Sequence, residues 1–122
     1  MLELKGICKR YVTQSFTQVA LDSVSLSFRD NEFVAILGPS GSGKSTAMNI
    51  IGALDSPTAG AYLFSGMHVE SLSRDQRALL RRKYLGFVFQ DFSLLDTFSL
   101  EDNICLPLVL AGKSRTEMRD RL

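Results

Sequence analysis

Two segments near the start of the chain alternate between apolar and polar residues. Residues 2–12 place on one face Leu2, Leu4, Cys8 and Val12, and on the other Glu3, Lys5, Lys9 and Tyr11. Residues 24–29 alternate in the same way, and Asp30 and Asn31 follow them as a turn. Strands with one apolar and one polar face are typical of antiparallel sheets. The pattern therefore predicts an antiparallel β part within residues 1–32.

Further along the chain the pattern changes. Residues 33–37 are apolar without interruption and residues 85–89 are nearly so, as expected of strands buried on both faces of a parallel sheet. Between them, residues 44–54 are apolar at helical spacing, at Ala47, Met48, Ile51 and Leu54. A short strand is predicted at residues 61–64, closed by Ser65 and Gly66. These elements together indicate an α/β fold.

Three helix starts can be located from capping residues. Ser73 with Gln76 forms a capping-box pattern that predicts a helix to about Lys83. Ser99 is expected to cap a helix over residues 100–103, which Pro107 should end or kink. Ser114 and Glu117 begin one more helix near the end of the chain.

The loop between the first uninterrupted apolar segment and the helix after it fits the phosphate-binding pattern G-x-x-x-x-G-K-[ST] in full. Its candidate ligand-binding residues are Gly38, Ser40, Gly41, Ser42, Gly43, Lys44, Ser45 and Thr46. Glycines allow backbone N–H groups to close around phosphate oxygens, and a helix N-terminus adds unpaired donors and partial positive charge. Lys44 is expected to reach the β- and γ-phosphates, and Ser45 to bind Mg²⁺. The loop thus predicts ATP and Mg²⁺ as cofactors.

The charge of the chain argues against one class of partner. A net charge of +1 over 122 residues provides no long-range field that would attract nucleic acid. The basic run at residues 81–83 has no aromatic groove beside it, so a solvated helix face is the better interpretation. We therefore expect no nucleic-acid partner.

The sequence around the loop resembles the nucleotide-binding domain of ATP-binding cassette (ABC) transporters. The stretches that carry the resemblance are residues 21–26, 32–46, 48–52, 54–60 and 86–90. They are most similar to the branch that serves macrolide export, lipoprotein release and antimicrobial-peptide export. The resemblance covers nearly the whole chain and implies a RecA-like P-loop NTPase core with an N-terminal antiparallel β subdomain. It divides residues 1–122 into the β part (1–32), the P-loop core (33–90) and the start of a helical subdomain (91–122).

The resemblance also implies roles for single residues. Tyr11 matches the aromatic residue that stacks on adenine, and Thr46 matches the residue that supports the α-phosphate. Gln90 matches the glutamine that contacts Mg²⁺ or the attacking water, which makes Lys44 and Gln90 the candidate catalytic residues. Ser45 and Gln90 are then the candidate metal ligands.

The family pattern continues beyond what this sequence contains. It includes a Leu-Ser-Gly-Gly-Gln signature loop and then an acidic strand, Walker B, and neither is found here. Residues 72–76 imitate the signature loop, but Arg74 and Asp75 replace its glycines, so a helix cap explains them better. The chain is therefore expected to stop before the signature and Walker B regions, and to bind nucleotide without hydrolysing it.

The expected partners follow from the same resemblance. They are a transmembrane permease, as a separate subunit or a fused domain, and a second nucleotide-binding domain that completes an ATP sandwich. The expected location is the cytoplasmic face of the membrane. Two alternatives remain open: a stand-alone truncated nucleotide-binding module, and a P-loop protein of another class in which Asp91 holds the metal.

Overall fold

The computed structural model describes residues 1–91 and 93–119. The chain forms two compact units, Met1–Ala78 and Leu79–Leu122. This division is independent of the three-part division implied by the resemblance, which stays a prediction.

The first unit is built on a four-stranded antiparallel sheet. Its strands are β1 (Leu2–Val12), β2 (Thr17–Phe28), β3 (Ala59–Phe64) and β4 (Met67–His68), in the spatial order β2-β1-β3-β4. The two long strands pair from Leu2 opposite Phe28 to Val12 opposite Thr17. β3 and β4 form a tight hairpin, with Ser65 and Gly66 both at positive φ. The predicted antiparallel β part is therefore confirmed, and its sheet includes residues 59–68.

The simple alternation predicted for the first strand is wrong beyond Gly6. Gly6 has a φ of 58°, and the pairing of β1 with both neighbours shifts register around it, as at a β-bulge. The extra residue moves Ile7 onto the face of Leu4, and both side chains are fully buried. Cys8 and Val12 are consequently not the inward residues of this strand.

One helix, α1 (Lys44–Ile51), packs against this sheet. It ends three residues earlier than predicted, because Gly52 and then Ala53, at a φ of 53°, leave the helical conformation. Ala47 and Ile50 are its buried residues, whereas Met48 and Leu54 are exposed. The Tyr62 hydroxyl donates to the carbonyl of Ile51 at 2.6 Å and so ties β3 to the end of the helix. Burial raises the pKa of Tyr62 to about 12, so this donor keeps its proton.

The two apolar segments predicted as buried parallel strands are not strands in the part of the chain that the structure describes. Residues 33–37 and 85–89 pair with no other segment there. Phe33 is 98% exposed and Val88 is 100% exposed. A strand exists only when a neighbour accepts and donates its backbone hydrogen bonds, and an apolar run cannot supply that neighbour itself.

The remaining elements are helical. A single 3₁₀ turn at Val69–Ser71 precedes α2 (Arg74–Tyr84), which spans the boundary between the units. The second unit continues with α3 (Leu100–Leu110) and α4 (Arg115–Arg119). Ser99 caps α3 as predicted, but the helix runs through Pro107 instead of ending there. Proline removes one N–H donor, whereas its carbonyl still accepts from Ala111 at 3.0 Å and lets the helix continue.

Across residues 1–91 and 93–119, none of the helices is both long enough and apolar enough to cross a bilayer.

Candidate functional site

The loop between residues 37 and 44 has a backbone that only glycine can adopt at certain positions. Gly41 and Gly43 have φ values of 78° and 89°, in the left-handed region. A Cβ on Gly43 would also lie 2.5 Å from the carbonyl oxygen of Ala20 in β2. Gly43 is thus the point at which the loop rests on the sheet, and this contact fixes where α1 begins.

The start of α1 directs unpaired donors toward the loop. The first hydrogen bond of the helix runs from the Ala47 amide to the Gly43 carbonyl at 2.9 Å. The amides that precede Ala47 in this first turn have no intrahelical acceptor and point out of the helix end. Together with the helix dipole, they make this end of α1 suited to an anion.

The Lys44 side chain folds back over the loop. Its Nζ donates to the carbonyl oxygens of Gly38 at 2.8 Å and Pro39 at 2.6 Å, and to the Ser42 hydroxyl at 3.3 Å. A Cβ on Gly38 would lie 2.7 Å from that same hydroxyl, so the loop is closed tightly around the ammonium group. The positive charge of Lys44 is thus held within the loop by two backbone carbonyl oxygens and a hydroxyl.

The first turn of α1 also presents hydroxyl groups, with Ser45 exposed and Thr46 half-buried. Oxygen is the ligand atom that Mg²⁺ prefers. No cluster of three His, Cys, Asp or Glu side chains suited to a metal exists among the described residues. A Mg²⁺ ion at Ser45 would therefore take its other ligands from phosphate and water, which is the usual arrangement for this ion with a nucleotide. The residues fit that group.

Tyr11 lies near the exposed end of β1 and is held by two charged residues. Its hydroxyl donates to Asp55 Oδ2 at 3.3 Å, and Lys9 Nζ lies 5.1 Å from the centroid of its ring. Lys9 and Asp55 pair with each other at 2.7 Å. Burial by itself raises the pKa of the Asp55 carboxyl. The hydrogen bonds from Lys9, the Ser56 amide and Tyr11, with the Lys9 charge, outweigh that effect and bring the pKa below its ordinary 3.8.

Sequence reasoning predicted Tyr11 but missed Lys9 and Asp55. Lys9 lies two residues before Tyr11 and therefore on the same strand face. This spacing could have indicated that the two side chains lie together. Asp55 lies 44 residues away in a turn, and no local pattern in the sequence connects it to β1.

Gln90 and Asp91 lie in the second unit, in an exposed turn that follows the unpaired segment 85–89. The Asp91 carbonyl accepts from the Ser93 amide at 2.6 Å, which closes the turn locally. The catalytic and metal-binding roles implied for Gln90 stay predictions.

The chain is similar in sequence to known proteins. Residues 21–122 match the sequence model described as "ABC transporter". The chain is 48% identical over 122 residues to the ABC transporter ATP-binding protein YxdL of Bacillus subtilis, covering 47% of that protein. It is 44% identical over 121 residues to the macrolide export ATP-binding/permease protein MacB of Brucella abortus, covering 19% of it.

A solved structure matches as well. The post-hydrolysis dimer of the ATP-binding cassette MJ0796, bound to ADP and Pi, has a TM-score of 0.93 and 40% identity; the match covers 99% of this chain and 53% of that one. The chain belongs to the ABC transporter family. It has the cassette fold, as far as it extends, and matches the macrolide-export branch.

The predictions of family, branch and fold class are thus confirmed. The alternative of a P-loop protein of another class is wrong, because residues 21–122 match the ABC transporter model. The chain spans about half the length of YxdL and of the MJ0796 chain, and about a fifth of MacB.

Proposed function

We propose that this chain binds ATP with Mg²⁺ through the loop at residues 38–46. The observation that carries the proposal is the convergence of the Lys44 ammonium and the unpaired amides of the α1 N-terminus on one closed loop. Four negative charges on a triphosphate need such a concentration of donors, and few other ligands do.

In this proposal each residue type has a distinct task. Gly38, Ser40, Gly41, Ser42 and Gly43 provide the backbone that encloses the phosphates. Lys44 exchanges its loop carbonyl acceptors for β- and γ-phosphate oxygens and neutralises charge that builds up there.

At the helix start, Ser45 binds the metal and Thr46 supports the α-phosphate. Ser45 would hold Mg²⁺ there, and the bound ion would supply positive charge beside the phosphates. We propose that Tyr11 stacks on the adenine and that Gln90 contacts Mg²⁺ or the attacking water in the complete cassette.

At the level of the whole protein, we propose an ATP-binding component that drives export through a membrane permease. The name of MacB, an ATP-binding/permease protein for macrolide export, supports this. The dimeric state of the MJ0796 cassette supports a second nucleotide-binding domain as partner. We place the component at the cytoplasmic face of the membrane, bound to the permease. Hydrolysis is proposed for paired complete cassettes and not for these 122 residues alone.

Lys44→Ala tests the nucleotide site. Loss of a charged donor to phosphate should weaken MgATP binding about 10- to 100-fold, as measured with radiolabelled ATP by equilibrium dialysis. Lys5→Ala is the matched control, because Lys5 is an exposed lysine of the same unit that pairs with Glu3 at 2.8 Å. Equal affinities for the wild type and Lys44→Ala would refute the proposed site.

A further inference from the structure

The side chains of Lys9, Tyr11 and Asp55 form one connected group near the end of β1. Lys9 Nζ donates to Asp55 Oδ1 at 2.7 Å and to the Ser56 carbonyl at 2.8 Å, and it also lies over the Tyr11 ring. The second oxygen of Asp55 accepts from the Tyr11 hydroxyl. The ring is thus held at its edge by Asp55 and on one face by Lys9, while 41% of the residue remains exposed.

This grouping is more than a surface ion pair. The Lys9 side chain is only 13% exposed, and its ammonium contacts a carboxylate, a carbonyl and an aromatic face. An aromatic ring under a cation has one face taken, and a planar ligand must approach the other. The group therefore restricts both the tilt of the Tyr11 ring and the side from which a base can stack.

The same turn joins the ring to the phosphate loop. Asp55 follows the C-terminal end of α1, and its amide donates to the Asn49 carbonyl at 3.2 Å. Thr58 connects the turn to β1. Its amide donates to the Cys8 carbonyl at 2.8 Å, and its hydroxyl accepts from the Arg10 amide at 3.0 Å. α1 begins at the phosphate loop and ends at the turn that positions the ring. The length of α1 therefore contributes to the separation between the ring and the loop.

We propose that Lys9 and Asp55 are positioning residues that fix the Tyr11 ring relative to the phosphate loop and thereby set the affinity for the adenine base. The inference rests on the proposed function, in which Tyr11 stacks on adenine. Lys9 and Asp55 act through Tyr11 and do not touch the nucleotide. Their removal frees the ring to rotate, so that stacking has to order the ring as well as bind the base.

The experiment compares two probes in the full chain: MgATP, and inorganic tripolyphosphate with Mg²⁺, which keeps the phosphates and lacks the base. Tyr11→Ala should weaken ATP binding about tenfold and leave tripolyphosphate unchanged. Asp55→Ala should weaken ATP binding about three- to tenfold, again without an effect on tripolyphosphate. In the double variant, Asp55→Ala should add nothing to Tyr11→Ala, because the ring through which it acts is gone.

Tyr11→Phe provides a second test that leaves the turn intact. It keeps the ring and removes only the bond to Asp55, so ATP affinity should fall about two- to threefold. Tyr11→Phe therefore tests the proposed positioning role even if Asp55→Ala does not fold. Glu3→Ala is the matched control, since it removes another ion pair of β1, with Lys5, away from the ring.

The outcomes separate the inference from the function on which it rests. If Tyr11→Ala leaves ATP binding unchanged, the proposed role of Tyr11 fails and the inference fails with it. If Tyr11→Ala weakens ATP binding but Tyr11→Phe and Asp55→Ala do not, only the inference is overturned. If Asp55→Ala weakens tripolyphosphate as much as ATP, or adds its full effect to Tyr11→Ala, Asp55 supports the fold and not the ring.

Discussion

At the scale of single residues, two glycines determine how β1 meets β3. Gly6 forms the bulge that turns Ile7 into the core, and Gly60 lies beside it with a φ of 95°. A Cβ on Gly60 would lie 2.4 Å from the carbonyl oxygen of Gly6, a distance that no side chain can adopt without moving backbone. The bulge therefore requires glycine at position 60, whereas a Cβ on Gly6 would meet nothing within 4 Å and glycine is favoured there by its φ of 58°.

Gly60→Ala should therefore destabilise the first unit more than its φ alone explains. Gly66→Ala is the matched control: its φ is 81°, and a Cβ there would meet nothing within 4 Å. Left-handed strain costs about 1–2 kcal/mol, which is the loss expected for Gly66→Ala. The added backbone clash should bring the loss for Gly60→Ala to about 3 kcal/mol or more. Urea unfolding followed by circular dichroism measures both, and equal losses would contradict the clash.

The phosphate loop could be predicted from the sequence because its residues are consecutive. The contacts of Lys44 and the close approach at Gly38 all lie within a few consecutive residues, and in the structure these residues form a closed loop. The environment of Tyr11 could not be predicted in the same way. It depends on Asp55, and the two residues meet only because a turn after α1 is bonded to β1. A contact of this kind cannot be predicted from the residues adjacent to Tyr11 in the sequence.

At the scale of elements, the predictions that succeeded rest on local hydrogen bonds. Ser73 accepts from the Gln76 amide at 3.2 Å, and the Gln76 side chain accepts from the Ser73 amide at 2.9 Å. This reciprocal pair is the capping box expected from the sequence, and it explains residues 72–76 without a signature loop. The hairpin turn at Ser65 and Gly66 is local in the same sense.

Ser73→Ala should remove one half of this box and cost about 1 kcal/mol of stability. Ser73→Asp keeps an acceptor at the cap and adds a charge that the helix dipole favours, so its stability should stay within about 0.5 kcal/mol of the wild type. Thermal unfolding of the two variants at equal protein concentration makes the comparison. Loss of the same size in both would mean that the hydroxyl has a task other than capping.

The element predictions that failed depend on partners distant in the chain. Residues 33–37 and 85–89 have the composition of buried strands, but the described residues offer them no ladder to join. The face of β1 was misassigned for a related reason, because the backbone bulge at Gly6 lies against Gly60, which is 54 positions later in the sequence. The hydrophobic pattern indicates which residues are suited to burial. It does not indicate which other segment will pack against them.

At the scale of the whole molecule, the unpaired segments have a consequence for solubility. Both segments expose large apolar side chains and form no strand pairing within the part of the chain that the structure describes, and such segments tend to pair with other chains. In the MJ0796 cassette that it matches, this chain corresponds to 53% of the length. We therefore expect the 122-residue polypeptide to associate with itself through residues 33–37 and 85–89.

Static light scattering at about 100 µM protein tests this expectation, a concentration at which exposed apolar edges lead to association. The double variant Phe33→Ser with Val88→Ser should remain closer to the monomer mass than the wild type, because it removes the two most exposed apolar side chains of the segments. The matched control is Phe16→Ser with Val12→Ser, which replaces the same residue types at exposed positions of the paired β1–β2 hairpin. Since those residues lie beside a satisfied backbone, their loss should leave association nearly unchanged. A monomeric wild type at this concentration, or an equal effect of both double variants, would show that the unpaired segments do not drive association.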